Sequence, residues 1–198
     1  MHPLPPPLEA EIAAILADPL DAVGFGEKGF LPYELRKGHE LVRNPDPAVT
    51  ARLLGEALDP QNDRVARLAM LQVLALREDP AADAALVAAL ADPTLRPLAS
   101  YLLARIGFKG YPKRDRDAAP LLRALAPHLE DPGTFDDPWY GKPLRTADLV
   151  LGAFVRIAGP ESFRFDDPDD ATYVGCTMRP FAEDVRRSLL TQAKSRVG

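Results

Sequence analysis

Four aspartates crowd one short stretch near the carboxyl end of the sequence, FDDPDDATY, at positions 166, 167, 169 and 170. Closely spaced carboxylates are the ligands that Ca²⁺ and Mg²⁺ prefer. The spacing differs from that of an EF-hand loop, which also needs a glycine at its sixth position and a glutamate at its twelfth. We therefore interpret residues 166–170 as a solvated acidic loop, and the sequence leaves open whether the loop binds a cation.

Histidine, the commonest metal ligand and general base, is scarce in this chain. The 198 residues include three histidines, His2, His39 and His128. A site built from imidazole needs several of them together, so we predict no metal site and no cofactor. Nothing around Cys176 indicates an activated thiolate, and no Ser-His-Asp or Cys-His grouping is evident. The sequence therefore predicts no catalytic residues.

The stretch GFGEKG, from Gly24 to Gly29, spells the GxGxxG pattern of dinucleotide-binding folds. That fingerprint needs a strand before it and a helix that begins at its last glycine. Here a predicted helix and an Asp-Pro pair come first, and Pro32 follows. We interpret the stretch as a loop.

The composition indicates an ordinary water-soluble chain with one domain over residues 1–198. Hydrophobic residues make up 46% of the chain and aromatic residues 7%, and the Ala, Leu and Val content favours packed helices over a β-sandwich. The net charge of −5 argues against a nucleic-acid partner. No apolar run reaches the roughly 18 residues that span a bilayer. The start MHPLPPPLEAE lacks the features of a signal peptide, and the lone cysteine fits a reducing compartment, so we expect a cytoplasmic protein.

A repeat with a period of 33 residues organises the sequence. Asp-Pro pairs at 46–47 and 59–60 recur at 79–80 and 92–93, and at this shift Leu53 falls on Leu86. Proline ends one helix and suits the first turn of the next, while aspartate caps the free N–H groups. Such a pattern is typical of tandem helical hairpins, which stack because one hairpin cannot bury its own apolar side.

The sequence thus predicts an all-α fold, an α-solenoid of about four hairpins with a C-terminal capping helix. The hairpins span about 8–43, 47–77, 80–107 and 118–158, and the last helix spans about 179–195. Their first helices are expected at about 8–17, 47–58, 80–91 and 118–130, and their second helices at about 33–43, 62–77, 95–107 and 145–158.

One copy of the repeat, DPTLRPLASYLLARIG, resembles the second half of a HEAT repeat of the phycobilisome-lyase-like subtype. The shared pattern is an Asp-Pro pair, an apolar-Arg pair, spaced small and aliphatic residues and a final Ile-Gly. The resemblance covers roughly residues 8–158 and implies that Asp92 and Arg96 belong to an Asp–Arg ladder between repeats. The matching residues are Asp92, Pro93, Leu95, Arg96, Ala99, Leu103, Ile106 and Gly107.

The second helices suggest where a partner would bind. In HEAT-like solenoids the helix arc opposite the core lines the concave surface, and here that arc is apolar. A contiguous apolar strip on a soluble protein indicates a binding site, although the chain's own loops or last helix could cover it instead. The predicted strip consists of Leu68, Leu71, Tyr101, Ala104, Leu151 and Val155.

Long connections at 19–32, 107–117, 131–144 and 159–178 are further candidate contact regions. The connection 131–144 leads to Arg145 and contains the only tryptophan, Trp139, next to Tyr140. An exposed Trp-Tyr pair would anchor an interface, whereas a buried pair would plug the third repeat. The connection 107–117 carries four basic residues, which fit a phosphate group, an acidic partner or a solvated loop.

Three functions follow as expectations. The first is a non-catalytic protein-binding module or adaptor that uses its concave face, with an immunity-type inhibitor as a narrower version. The second is an enzyme or lyase subunit with a metal or small-ligand site in the loops, formed by the acidic loop or by His39. His39-Glu40 resembles one His-Glu pair of HEAT-type deoxyhypusine hydroxylases, but those enzymes need several such pairs, so we interpret His39 as a surface or packing residue. The third is a HEAT-like nucleic-acid-binding protein. The sequence leaves the oligomeric state open.

Overall fold

A computed structural model describes residues 4–25, 33–106, 117–136, 143–166, 174 and 180–196, and at residues 24, 25, 33 and 34 it describes the backbone alone. Helices dominate these residues, which confirms the all-α prediction. The α-helices are α1 Pro6–Ala17, α2 Pro19–Ala22, α3 His39–Arg43, α4 Pro47–Leu58, α5 Arg64–Leu76, α6 Ala81–Ala89, α7 Arg96–Arg105, α8 Ala118–Leu125, α9 Thr146–Ala158 and α10 Glu183–Lys194. Short 3₁₀ turns cover Ala126–His128 and Pro160–Ser162.

Two antiparallel ribbons interrupt the helices. Strand β1 (Val23–Phe25) pairs with β2 (Tyr33–Leu35), and β3 (Thr134–Asp136) pairs with β4 (Pro143–Arg145). The ribbons form the bases of two of the long connections expected from the sequence.

The second helix expected at about 33–43 is wrong in its first half, because strand β2 and a bend occupy it and α3 is short. Residues 33–35 instead pair with β1, and Gly38, with a φ of +89°, prevents a single helix from running through position 38. A Cβ atom at that position would lie 3.0 Å from Cδ1 of Ile15, so the close approach of α1 also requires glycine.

The predicted capping role of the Asp-Pro aspartates is confirmed at the starts of α2 and α4, where Asp18 and Asp46 are the N-cap residues. Asp46 accepts a hydrogen bond from the Ala48 N–H at 2.8 Å, and Asp79 accepts one from the Ala81 N–H at 2.9 Å. The aspartates at positions 18, 59, 92 and 131 accept equivalent bonds from an N–H two or three residues further on. Each carboxylate satisfies a donor that a helix start or turn would otherwise leave free.

The helices pack in sequential pairs around one hydrophobic cluster. Helix α4 packs on α5, α6 on α7, and α8 on α9, and contacts between α5 and α7 and between α7 and α9 join the pairs. Helix α5 lies in the middle, in contact with α1, α2, α3, α4, α6 and α7. All ten residues from Ala66 to Ala75 on α5 are buried.

Arginine–aspartate pairs connect neighbouring helix pairs. The Nε–H of Arg67 donates to the Ala57 carbonyl at 2.8 Å, and its Nη2 group pairs with Asp92. In the next unit the Nε–H of Arg96 donates to the Leu90 carbonyl at 2.7 Å, and its Nη1 group pairs with Asp131. Both residues expected in an Asp–Arg ladder therefore form ion pairs to a neighbouring unit, and the partner of Asp92 is Arg67.

A buried arginine joins the segment that ends with α3 to the α4–α5 pair. The Arg77 side chain is 1% exposed. Its guanidinium donates to the carbonyls of Leu41 and Asp46, and its Nε–H donates to the Thr50 hydroxyl at 2.9 Å. The Asp79 carboxylate lies 3.8 Å away and balances the charge. One side chain thus joins α3, the turn after it, α4 and the end of α5.

Candidate protein-binding surface

The side chains expected to form an apolar concave strip lie in the core instead. Leu68 and Val155 are 0% exposed, and Tyr101, the most exposed of the set, is 7% exposed. Leu71, Ala104 and Leu151 are buried as well. The expectation of an exposed apolar strip at these residues is therefore wrong.

The cause is the number of neighbours around each second helix. Residues 97–105 of α7 and 146–155 of α9 are buried without interruption, as are residues 66–75 of α5. A helical wheel assumes that one side of each helix faces water, and these three segments have no such side. Helices α7 and α9 pack on each other, and both bury small residues, such as Ala104 and Gly152.

Water-facing apolar residues lie on the first helices of the pairs. On α4 the exposed or half-buried set is Ala48, Ala51, Leu54, Gly55 and Leu58. At a shift of 33 residues, α6 and the residues just after it present Ala81, Ala84, Val87, Ala88 and Ala91 in the same exposure classes or more exposed ones. We call these ten residues the outer strip.

The outer strip repeats in register because α4 and α6 are equivalent helices in contact with each other. Leu58 is 38% exposed, one of two large hydrophobic side chains that are exposed among the described residues. Charged side chains flank the strip without entering it: Asp83 is half-buried on α6, and Arg52 on α4 is paired with Glu9 and Glu56. The water-facing side of a surface helix ordinarily carries charged and polar residues, whereas this side of α4 and α6 is apolar.

Arg145, expected in a partner interface, instead holds the chain's own carboxyl-terminal segment. Its Nε–H donates to Asp148 at 2.8 Å, Nη1 donates to Glu183 at 3.0 Å, and Nη2 donates to the Phe181 carbonyl at 2.8 Å. The hydrogen bond and charge of Asp148 raise the pKa of Arg145, while the hydrogen bond from Arg145 lowers the pKa of Glu183. Burial raises the pKa of Asp148 against the opposing effect of Arg145.

The other residues singled out by the sequence give a mixed outcome. Trp139 and Tyr140 lie outside the described residues, as do most of the acidic stretch 166–170 and of GFGEKG. His39 is exposed at the start of α3. Within the described ranges, no group of three or more His, Cys, Asp or Glu side chains is arranged to hold a metal ion.

The ribbon that leads towards Trp139 is fixed to the second helical unit. Nη2 of Arg64 donates to the Asp136 carbonyl at 2.6 Å, and its guanidinium lies 5.4 Å from the centre of the Phe135 ring. Beside this contact is an open depression of about 440 Å³, whose lining includes Thr94 and Thr146. The base of the connection 131–144 is therefore held against α5.

His128 lies near the ion pair between Arg96 and Asp131. Desolvation lowers the pKa of His128, and the nearby positive charge of Arg96 acts in the same direction, while Asp131 opposes them. Desolvation works to raise the pKa of Asp131, but the Gly133 N–H and Arg96 together bring that pKa below its ordinary value. This junction thus favours a neutral imidazole beside an ionised carboxylate.

Comparison with known proteins adds no assignment: no protein-family model matches the chain, and no curated protein or solved structure matches it significantly. In the part of the chain that the structure describes, every helix is too short or too polar to cross a membrane.

Proposed function

We propose that the chain is a non-catalytic protein-binding module, built as an α-solenoid of HEAT-like hairpins, and that the outer strip is the surface that contacts its partner. The repeat of 33 residues, the sequential packing of helix pairs and the two arginine–aspartate pairs support the solenoid. In such an array the first helices form one continuous wall, so a surface on α4 and α6 extends across units.

The observation that carries the proposal is the apolar character of the outer strip. Apolar patches that a soluble protein leaves exposed mark interaction sites more often than idle surface. The alanines and the glycine of the strip have small side chains, so its surface lies close to the helix backbones. The larger side chains of Leu54, Leu58 and Val87 project from it. A helix of a partner could therefore approach the α4 and α6 backbones closely and seat its apolar face between these three side chains. The partner we expect is a protein with an amphipathic helix.

Charge placed in the strip tests the proposal. We expect Ala51→Glu and Ala84→Glu to reduce capture of the partner by at least about ten-fold, because an unpaired carboxylate would be desolvated in the contact. Both alanines are exposed, so the fold should be unaffected. The measurement is affinity capture from a lysate of the native cells with the partner identified by mass, followed by titration of the purified pair.

Ser188→Glu is the matched control, because Ser188 is an exposed residue on a helix far along the chain from the strip. This variant should retain capture. If the strip variants bind as well as the parent protein, the outer strip is not the binding surface. If a partner never emerges with the parent protein, the binding-module proposal fails altogether.

A further inference from the structure

The carboxyl-terminal helix is joined to the rest of the molecule differently from the other helices. Helix α10 packs on α9, and its fully buried side chains are Leu189, 1% exposed, and Ala193, 0% exposed. Helix α5, by contrast, buries ten residues in succession. Phe181, Val185 and Leu190 of the same segment are only partly buried against the core, so apolar burial contributes less to the attachment of α10 than to that of α5, since that contribution scales with the area removed from water.

Polar contacts to one buried carboxylate add to the attachment. The Asp148 side chain on α9 is 1% exposed. Its Oδ2 atom accepts from the Phe181 N–H at 3.3 Å and from Arg145, which also reaches Glu183. Its Oδ1 atom lies 3.3 Å from Nε of Arg186 on α10, but this pair does not meet hydrogen-bond geometry. The carboxylate is thus paired in charge but incompletely hydrogen-bonded.

The contacts at the far end of α10 are polar and exposed. The Gln192 side chain exchanges hydrogen bonds with the backbone of Arg164, at 2.8 Å and 3.3 Å. The Arg196 guanidinium lies 4.6 Å from the centre of the Phe163 ring. Lys194 pairs with Glu130, and both side chains are more than half exposed. Exposed contacts of this kind each contribute at most about 1 kcal/mol.

Of the twelve residues of α10 two are buried, against three of twelve in α1 and ten of thirteen in α5. A buried ion pair with incomplete hydrogen bonding offsets little more than its own desolvation. Local openings occur where apolar contacts are few and hydrogen bonds are exposed. We propose that segment 180–196 is a releasable latch, which undocks from α9 as a unit while α4 to α7 stay folded. While docked, the latch covers the part of α9 on which α10 packs.

Hydrogen exchange on the full chain tests the latch. Amides of 183–194 should exchange at least about 100-fold faster than amides of 64–76, because their opening does not require global unfolding. In Asp148→Asn the exchange of 183–194 should rise about ten-fold further, while that of 64–76 stays the same, because the variant removes the charge that holds Arg145 and Arg186. Mass spectrometry of peptic fragments resolves the two segments.

Glu130→Gln is the matched control, because it removes an exposed ion pair of the same helix; it should change exchange less than about two-fold. Raising salt should accelerate exchange of 183–194 in the parent protein, since screening weakens partly exposed ion pairs. This measurement keeps the proposal testable even if Asp148→Asn does not fold. Equal exchange rates in the two segments, or exchange of 183–194 that is indifferent to salt, would overturn the latch.

Discussion

The Nε atom of Arg77 lies 2.9 Å from the hydroxyl oxygen of Thr50, and the same guanidinium donates to two backbone carbonyls earlier in the chain, those of Leu41 and Asp46. Residues that are 27 or more positions apart are therefore held by one buried side chain. The position lies where α3, α4 and α5 meet, and its removal should be felt in all three helices.

We expect Arg77→Met to lower the free energy of unfolding by about 3 kcal/mol, because it leaves buried acceptors and the Asp79 charge without the guanidinium. Urea unfolding followed by circular dichroism measures the change. Arg77→Lys keeps the charge but supplies fewer directed donors, so its loss should be smaller. A loss below about 1 kcal/mol in the methionine variant would show that the guanidinium is not needed.

The pair of Arg96 and Asp131 should show energetic coupling between neighbouring helical units. Their side chains are 13% and 11% exposed, so screening by water is limited. In a double-mutant cycle with Arg96→Met and Asp131→Asn, we expect a coupling of about 1 kcal/mol or more. The asparagine retains an oxygen for the Gly133 N–H, so the cycle isolates the ion pair. If the losses in unfolding free energy of the two single variants simply add up in the double variant, the ion pair between Arg96 and Asp131 does not stabilise the fold.

The lowered pKa of His128 predicts a loss of stability in mild acid. A histidine whose pKa falls on folding favours the folded state fully above its unfolded pKa of about 6.5 and loses that contribution as pH falls through the folded value. Unfolding free energies should therefore drop as the pH falls below about 6.5 in the parent protein, and drop less in His128→Gln. Parallel urea titrations of both proteins check this, and equal pH profiles would contradict it.

Gln72 predicts a stabilising substitution. The side chain is 0% exposed on α5, and neither its amide nitrogen nor its amide oxygen has a hydrogen-bond partner within the described ranges. Gln72→Met keeps the length and removes the unsatisfied polar atoms, so we expect a gain of about 1 kcal/mol. Thermal and urea unfolding measure it. A loss of stability would show instead that the amide is satisfied in solution, for example by water.

The sequence predicts most helices well because their starts are decided locally. The pairs Asp46-Pro47 and Asp79-Pro80 lie directly at the starts of α4 and α6, so these two helices appear close to their expected bounds, whereas Asp59-Pro60 and Asp92-Pro93 lie in turns a few residues before α5 and α7. The short α3 shows the limit of this reasoning. The left-handed conformation of Gly38 and the close approach of Ile15 to it depend on tertiary packing, which a local sequence pattern does not reveal.

The site was harder to predict than the fold. A helical wheel ranks the faces of one helix but not the number of helices around it, so Leu68 and Tyr101 seemed available when they are core residues. The role of Arg67 was missed because the shift of 33 places it opposite Ser100, not Arg96. The signal for the outer strip was present in the overlay, where Ala51 coincides with Ala84 and Leu54 with Val87. Binding through Trp139 and Tyr140 stays a prediction.

The aspartates between units divide their two oxygens between two tasks. In Asp92 and Asp131, Oδ1 accepts from a nearby backbone N–H while Oδ2 meets an arginine of the preceding unit, and Asp79 divides its oxygens between Ala81 and Thr50 in the same way. Because one carboxyl group holds both the local backbone turn and the contact with the preceding unit, these two parts cannot open independently. Heating should therefore melt the units from α4 to α9 in a single cooperative transition, without the stepwise fraying that independent modules would show.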